Sequence, residues 1–140
     1  MIYPTLTIFS NFRINDEKRF IEMQDSFNSF KDIKAQKWVI NVRGIYAKNV
    51  IDFIKNELGD NALLFNNESG RGWFYDSRAL LKYINSDFVM IWVEDHINLQ
   101  KVSILDSVVN EMFVSKSDYL NYTWWFFGKS NNMYNKISKN

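Results

Sequence analysis

Two carboxylates and the only histidine of the chain fall together at Glu94, Asp95 and His96. They follow directly on an apolar run, Phe88-Val89-Met90-Ile91-Trp92-Val93. Carboxylate oxygens suit Mg²⁺ and Mn²⁺, and an imidazole is better tolerated by Mn²⁺. A solvated polar turn after a buried strand has the same composition, so the local sequence leaves both readings open. With one histidine and no cysteine, a disulfide, a thiolate site, a cysteine nucleophile and a zinc site of several histidines are all excluded. A serine–histidine–acid triad would need the histidine that the acidic turn already holds.

Other candidates sit at the ends of strand-like runs. Ser10-Asn11-Phe12-Arg13 closes the first, and Asn41-Val42-Arg43-Gly44 closes the second. Gly70-Arg71-Gly72 resembles half a phosphate loop, but no third glycine or Lys-Ser/Thr follows, so neither a dinucleotide fingerprint nor a P-loop is present. The glycines fit a turn, with Arg71 as a candidate phosphate contact. Asp76 and Arg78 open a helical stretch as ligand contacts, although Asp76 also suits the positive end of a helix. Trp124-Trp125-Phe126-Phe127 reads as an acceptor-binding wall, a buried edge strand or a subunit contact.

These residues need a scaffold, and the patterning supplies one. The 140 residues fit a single domain with a core of its own. The 17 basic and 16 acidic residues leave a net charge of +1 with no basic stripe, which argues against a nucleic-acid partner. No apolar run is long enough for a membrane span, and no leader pattern opens the chain. A cytoplasmic protein is expected.

Hydrophobic period alternates between two and 3.6 along the chain, the mark of an α/β fold. Strands are predicted over 6–12, 38–42, 62–65 and 88–93, with a fifth over 119–127. Helical stripes are predicted through Phe20, Met23, Phe27 and Phe30, through Val50, Ile51, Ile54 and Leu58, over 75–85, and through Val102, Leu105, Val109 and Met112. The expectation is a Rossmann-like three-layer sandwich with a mostly parallel central sheet, over 1–128, followed by a polar tail, 129–140. The fourth strand, apolar on both faces, belongs in the middle of a covered sheet. If the strand order is 3-2-1-4, ligands bind beyond the carboxyl ends, where the order reverses.

Residues 4–98 resemble the nucleotide-binding half of family 2 glycosyltransferases, which have the GT-A fold. Leu6 to Arg13 looks like that family's opening strand, with Ser10 and Arg13 where a threonine and an arginine sit. Glu68 to Leu81, with Ser77-Arg78, looks like its Gly-rich segment and following helix. Ser86-Asp87-Phe88-Val89 through Glu94-Asp95-His96 looks like the strand that delivers an Asp-x-Asp motif. The resemblance implies a UDP- or GDP-sugar donor and a divalent cation, Mn²⁺ or Mg²⁺. Glu94, Asp95 and His96 would hold the cation. Ser10, Asn11 and Arg13 would approach the nucleotide, and Asn41, Arg43, Arg71, Asp76 and Arg78, singled out above from their local sequence, are the further candidate contacts. The resemblance further implies transfer to a glycan or lipid-linked acceptor in cell-surface polysaccharide synthesis. The aromatic run from Trp124 to Phe127, read as a subunit contact, goes with a homo-oligomer. The sequence departs from the family at Asn41-Val42-Arg43, where an aspartate is usual, and in having Glu-Asp-His in the motif. Only Asp106, Glu111 and Asp118 remain as later acids, and none is assigned as a base. A non-catalytic module of the same fold, binding a nucleotide sugar or a protein, is the alternative.

Overall fold

The computed structural model describes residues 3–120 of the chain. Four strands and four helices alternate along it: β1 Leu6–Arg13, α1 Glu17–Phe30, β2 Lys37–Arg43, α2 Ala47–Leu58, β3 Ala62–Phe65, α3 Trp73–Arg78, β4 Phe88–Ile91 and α4 Val102–Ser115. The strands form one sheet in the order β3-β2-β1-β4, and all pairings are parallel. The protein is therefore α/β, with helices on both faces of the sheet, as in a Rossmann-like three-layer sandwich. Residues 121–127 of the predicted fifth strand, and the aromatic run Trp124 to Phe127, lie outside the described residues.

The period-two pattern of β1 and β2 assigns their two faces. Leu6, Ile8 and Phe12 with Trp38, Ile40 and Val42 meet Met23, Phe27 and Phe30 of α1 and Val50 and Ile54 of α2. Trp92 completes this layer. Its ring packs edge-on against Phe12 at 5.5 Å and Trp38 at 5.7 Å, contacts that add roughly 0.5–1.5 kcal/mol each beyond area burial. Leu105 of α4, with Val102 and Val109, joins the same layer. The opposite face is thinner. There Phe9, Val39 and Leu80 form a small cluster with Leu63, Phe65 and Ile84.

Two expectations are corrected. The helix predicted over 75–85 ends at Arg78, and a 3-10 turn over Leu81–Tyr83 follows. The Leu80 N–H bonds back three residues to the Ser77 carbonyl, which drops Leu80 into the thin cluster and leaves Ala79 exposed. The fourth strand is also not central among the described residues. It pairs with β1 alone, and its residues alternate between half-buried and exposed. Its apolar residues serve two different surroundings: Phe88, Met90 and Trp92 pack on the helix side, while Val89, Ile91 and Val93 are exposed.

Backbone bonds fix the loops at the carboxyl end. The Ile14 N–H donates to Arg43, and the Tyr46 N–H donates back to Ile14. Gly44 makes this crossing possible. Its φ is 97°, and a Cβ there would lie 2.4 Å from the Ile14 carbonyl oxygen. An l-residue is strained in that conformation, and the backbone oxygen cannot yield cheaply. Gly44→Ala is therefore expected to lower unfolding free energy by about 2 kcal/mol or more, read as a reduced urea midpoint at unchanged slope.

Candidate functional site

The carboxyl ends of β1 and β2 bring the polar residues together. In the sheet register Asn11 lies beside Asn41 and Arg13 beside Arg43. All four are on the thin side of the sheet, since they alternate with Phe12 and Val42. Both asparagines are buried. The Asn41 amide donates to Asn11 Oδ1 at 3.1 Å and to the Asn67 carbonyl at 2.9 Å, while its own Oδ1 accepts from the Asn67 N–H at 2.8 Å. Asn11 Nδ2 donates to Ser77 Oγ at 2.8 Å and to the Trp73 carbonyl at 3.2 Å. Trp73 Nε1 donates to the Asn11 carbonyl at 2.6 Å. The two amides thus hold α3 and the Asn67 loop onto the sheet, and their hydrogen-bonding capacity is largely used.

One turn into α3, Asp76 is 3% exposed. Its Oδ1 accepts from the Ser69 N–H at 2.9 Å, whereas Oδ2 is buried and makes no hydrogen bond. The Ser69 hydroxyl and then its N–H, helped by the charges of Arg43 and Arg13, hold the Asp76 carboxyl below its ordinary range against the opposing effect of burial. Arg43 Nε is likewise buried without a partner. Arg13 pairs with Glu68 across the loop. Arg13 and Arg43 are neighbours in the sheet register, and with the unpaired, buried Asp76 Oδ2 nearby they carry donors suited to an anion and an acceptor suited to a hydroxyl.

The remaining candidates are placed elsewhere. Ser10 points to the helix side, 2% exposed, and donates to the Trp92 carbonyl at 2.6 Å. It fastens β1 to β4 and does not line the crevice. The Arg71 guanidinium lies over the Tyr75 ring at 3.9 Å, on the outer rim. Arg78 is exposed in the last turn of α3.

Glu94, Asp95 and His96 are bound to α1. Glu94 accepts from Arg19 at 2.7 Å, and Asp95 lies 3.8 Å from the same guanidinium. His96 Nδ1 is 2.9 Å from Asp95 Oδ1. Ser26 accepts from Trp92 Nε1 at 2.9 Å and donates to the His96 carbonyl. Ser29 accepts from the Asn98 N–H at 2.9 Å. This donor set does not fit a divalent cation as arranged. The Glu94 oxygen faces an arginine, and no group of three or more His, Cys, Asp or Glu among the described residues could hold a metal.

Sequence reasoning missed Arg19, Ser26, Glu68 and Ser69. A signal existed for Ser26, a polar residue inside the apolar stripe of α1 beside Met23, Phe27 and Phe30. The other three are polar residues on helix or loop surfaces, with no pattern to separate them from their neighbours.

Because the folded-state pKa of Asp76 is depressed, its contribution to stability is present in full above the unfolded carboxylate value of about 4 and is lost as pH falls through the folded value. Thermal melts of the wild type between pH 7 and pH 3 should lose stability more steeply than those of Asp76→Asn. Parallel acid limbs would show that Asp76 carries none of it.

No family model matches this sequence, and neither a curated protein nor a solved structure does.

Proposed function

We propose that this chain binds a nucleotide sugar at the carboxyl ends of β1 and β2, as the donor domain of a glycosyltransferase. One observation carries the reading. Arg13 and Arg43 stand side by side on the two central parallel strands, next to Asp76 with its buried, unpaired carboxylate oxygen. Paired guanidinium groups suit the oxygens of a diphosphate. A carboxylate held ionised suits a ribose or sugar hydroxyl. The place is at the carboxyl end of the sheet, the end where open parallel sheets take their ligands, one strand away from the β1–β4 point at which the order reverses.

The Glu94-Asp95-His96 turn enters this reading only as a test. A divalent cation would have to take the carboxylates from Arg19, so no step is routed through one. The sugar acceptor, a cytoplasmic location and a role in polysaccharide synthesis belong to the same proposal. No helix among the described residues is long and apolar enough to cross a membrane.

A second reading, binding without transfer, draws on the later acids. Asp106 accepts from the Lys34 N–H at 3.1 Å. Asp106 and Glu111 line a groove with Tyr3 and Pro4, which precede β1 and so lie at the amino end of the sheet. Neither is positioned to serve as a base beside Arg43.

Calorimetric titration with UDP and GDP, with and without Mn²⁺, separates these cases. Binding is expected in the wild type and at least about tenfold weaker in Arg43→Ala, the loss of one charge-assisted contact. Binding that needs Mn²⁺ and vanishes in Asp95→Ala would restore the cation site. No binding of either nucleotide under any of these conditions would overturn the proposal.

A further inference from the structure

We propose that the Trp73 indole is the stacking platform for the base of the bound nucleotide, an inference that rests on the donor-site reading. The place of the ring follows from the sheet. The Trp92 N–H donates to the Phe9 carbonyl at 2.9 Å, and the register of β1 with β4 ends at Phe9 and Ile91. Alternate residues of a strand turn their backbone groups to the same neighbour, so the Asn11 carbonyl is the next acceptor on that side of β1. The chain leaving β4 does not reach it, because Arg19 and Ser26 hold the segment from Glu94 to His96 against α1. The Trp73 indole N–H takes the position instead, at 2.6 Å. The ring therefore stands where the strand order reverses, the point at which open parallel sheets form a crevice.

The ring is fixed before any ligand arrives. Asn11 grips Trp73 twice, through its carbonyl on the indole N–H and through its side-chain amide, which donates to the Trp73 carbonyl at 3.2 Å. Gly72, with φ of 96°, makes the turn from which α3 starts at Trp73. A group held in place in this way adds little ordering cost to binding. The one polar atom of the indole is satisfied, yet the residue remains 47% exposed, so what faces solvent is apolar ring surface. The neighbouring aromatics are engaged with each other. The Arg71 guanidinium covers the Tyr75 ring at 3.9 Å, and Phe74 packs edge-on against Tyr75 at 5.8 Å. Trp73 takes part in neither contact. Charge complementarity names the occupant. Arg13 lies two residues beyond Asn11 on the same strand, about 7 Å along it, with Arg43 beside it. An aromatic face at that distance from paired guanidinium groups suits a flat ring joined to phosphates through a sugar, and base–aromatic stacking tolerates any base because each has a π-face. Asp76, three residues on in α3, leaves the buried Oδ2 unpaired as an acceptor for the ribose that joins base to phosphate.

Titration of the full-length chain with UDP and GDP, followed by calorimetry and by tryptophan emission, tests this. In the wild type, binding is expected to quench emission, because a base stacked on an indole does so. Trp73→Ala should bind at least about tenfold more weakly, the loss of one base–aromatic stack. Trp73→Phe keeps a ring without the N–H, and it should bind within about threefold of the wild type while losing the quench. A cooperative urea transition in each variant checks that it is folded. Equal losses in the Phe and Ala variants would overturn the inference, because the indole would then serve only to cap the Asn11 carbonyl. Unchanged affinity in both variants would overturn it too, as would a wild type without a quench or a quench that persists in Trp73→Phe. In each of these cases the wild type still binds nucleotide, so the donor-site proposal stands. No binding of either nucleotide to the wild type would remove that proposal and this inference with it.

Discussion

The parallel pairing of β1 with β2, and within it the buried contact of Asn11 with Asn41, is the constraint on which the site depends. A buried amide left without partners costs about 1–3 kcal/mol, so two of them side by side dictate what surrounds them. The Asn67 backbone satisfies Asn41, and α3 satisfies Asn11 through Ser77 and Trp73. The loop from β3 and the short helix after it are thus drawn to the ends of the central strands. Their arrival brings Glu68, Ser69 and Asp76 to Arg13 and Arg43. A helix of six residues has little stability of its own. Its position is set by these bonds and by Leu80 beneath it.

On the other side of the sheet, α1 organises the exit from β4. Arg19, Ser26 and Ser29 lie along one side of that helix, and each binds a different part of the segment from Glu94 to Asn98. Ser26 links the Trp92 indole to the His96 carbonyl, so burial of a core aromatic and the path of the acidic turn are coupled. This accounts for the composition of the turn without a ligand. Glu94 is largely shielded and needs a cation, and Arg19 supplies one. A pair of this kind, with one side chain mostly covered, is worth more than an exposed surface pair, and it also keeps the turn against the helix and away from the crevice.

The sheet was legible from hydrophobic period alone, because β1, β2 and the apolar stripes of α1 and α2 each have a clear inside. The strand order entered only as a condition, because alternation and parallel pairing also allow other orders. Less legible were features that depend on which neighbour arrives. The sequence of β4 is apolar on both faces, but one face is uncovered by the described residues, since α4 went to the other layer. The stretch over 75–85 has helical composition, but hydrogen bonds from Asn11 and the seating of Leu80 shorten it. At the site, residue types at the strand ends were visible in the sequence, while their roles were not. Ser10 and Asn11 are adjacent in sequence and face opposite sides of the sheet, so one became a fastener in the core and the other a support for α3.

Charge balance at the strand ends explains why Arg43 and Asp76 are the informative pair. Four charged groups meet there, two of each sign, so the cluster needs no counter-ion to be neutral. Arg13 and Glu68 are each about half exposed, and solvent can replace either partner at little cost. Arg43 Nε and Asp76 Oδ2 are buried without a hydrogen bond, where each unmet group costs more than it would at the surface. Folding tolerates that cost because Asn11, Asn41 and Leu80 determine where α3 lies. In the proposed complex a ligand would offer an acceptor to the one and a donor to the other, and Glu68 would yield Arg13 to the same anion. On the proposed reading, a ligand that carries both phosphate oxygens and hydroxyl groups suits these residues better than a simple anion, which would leave Asp76 facing a like charge.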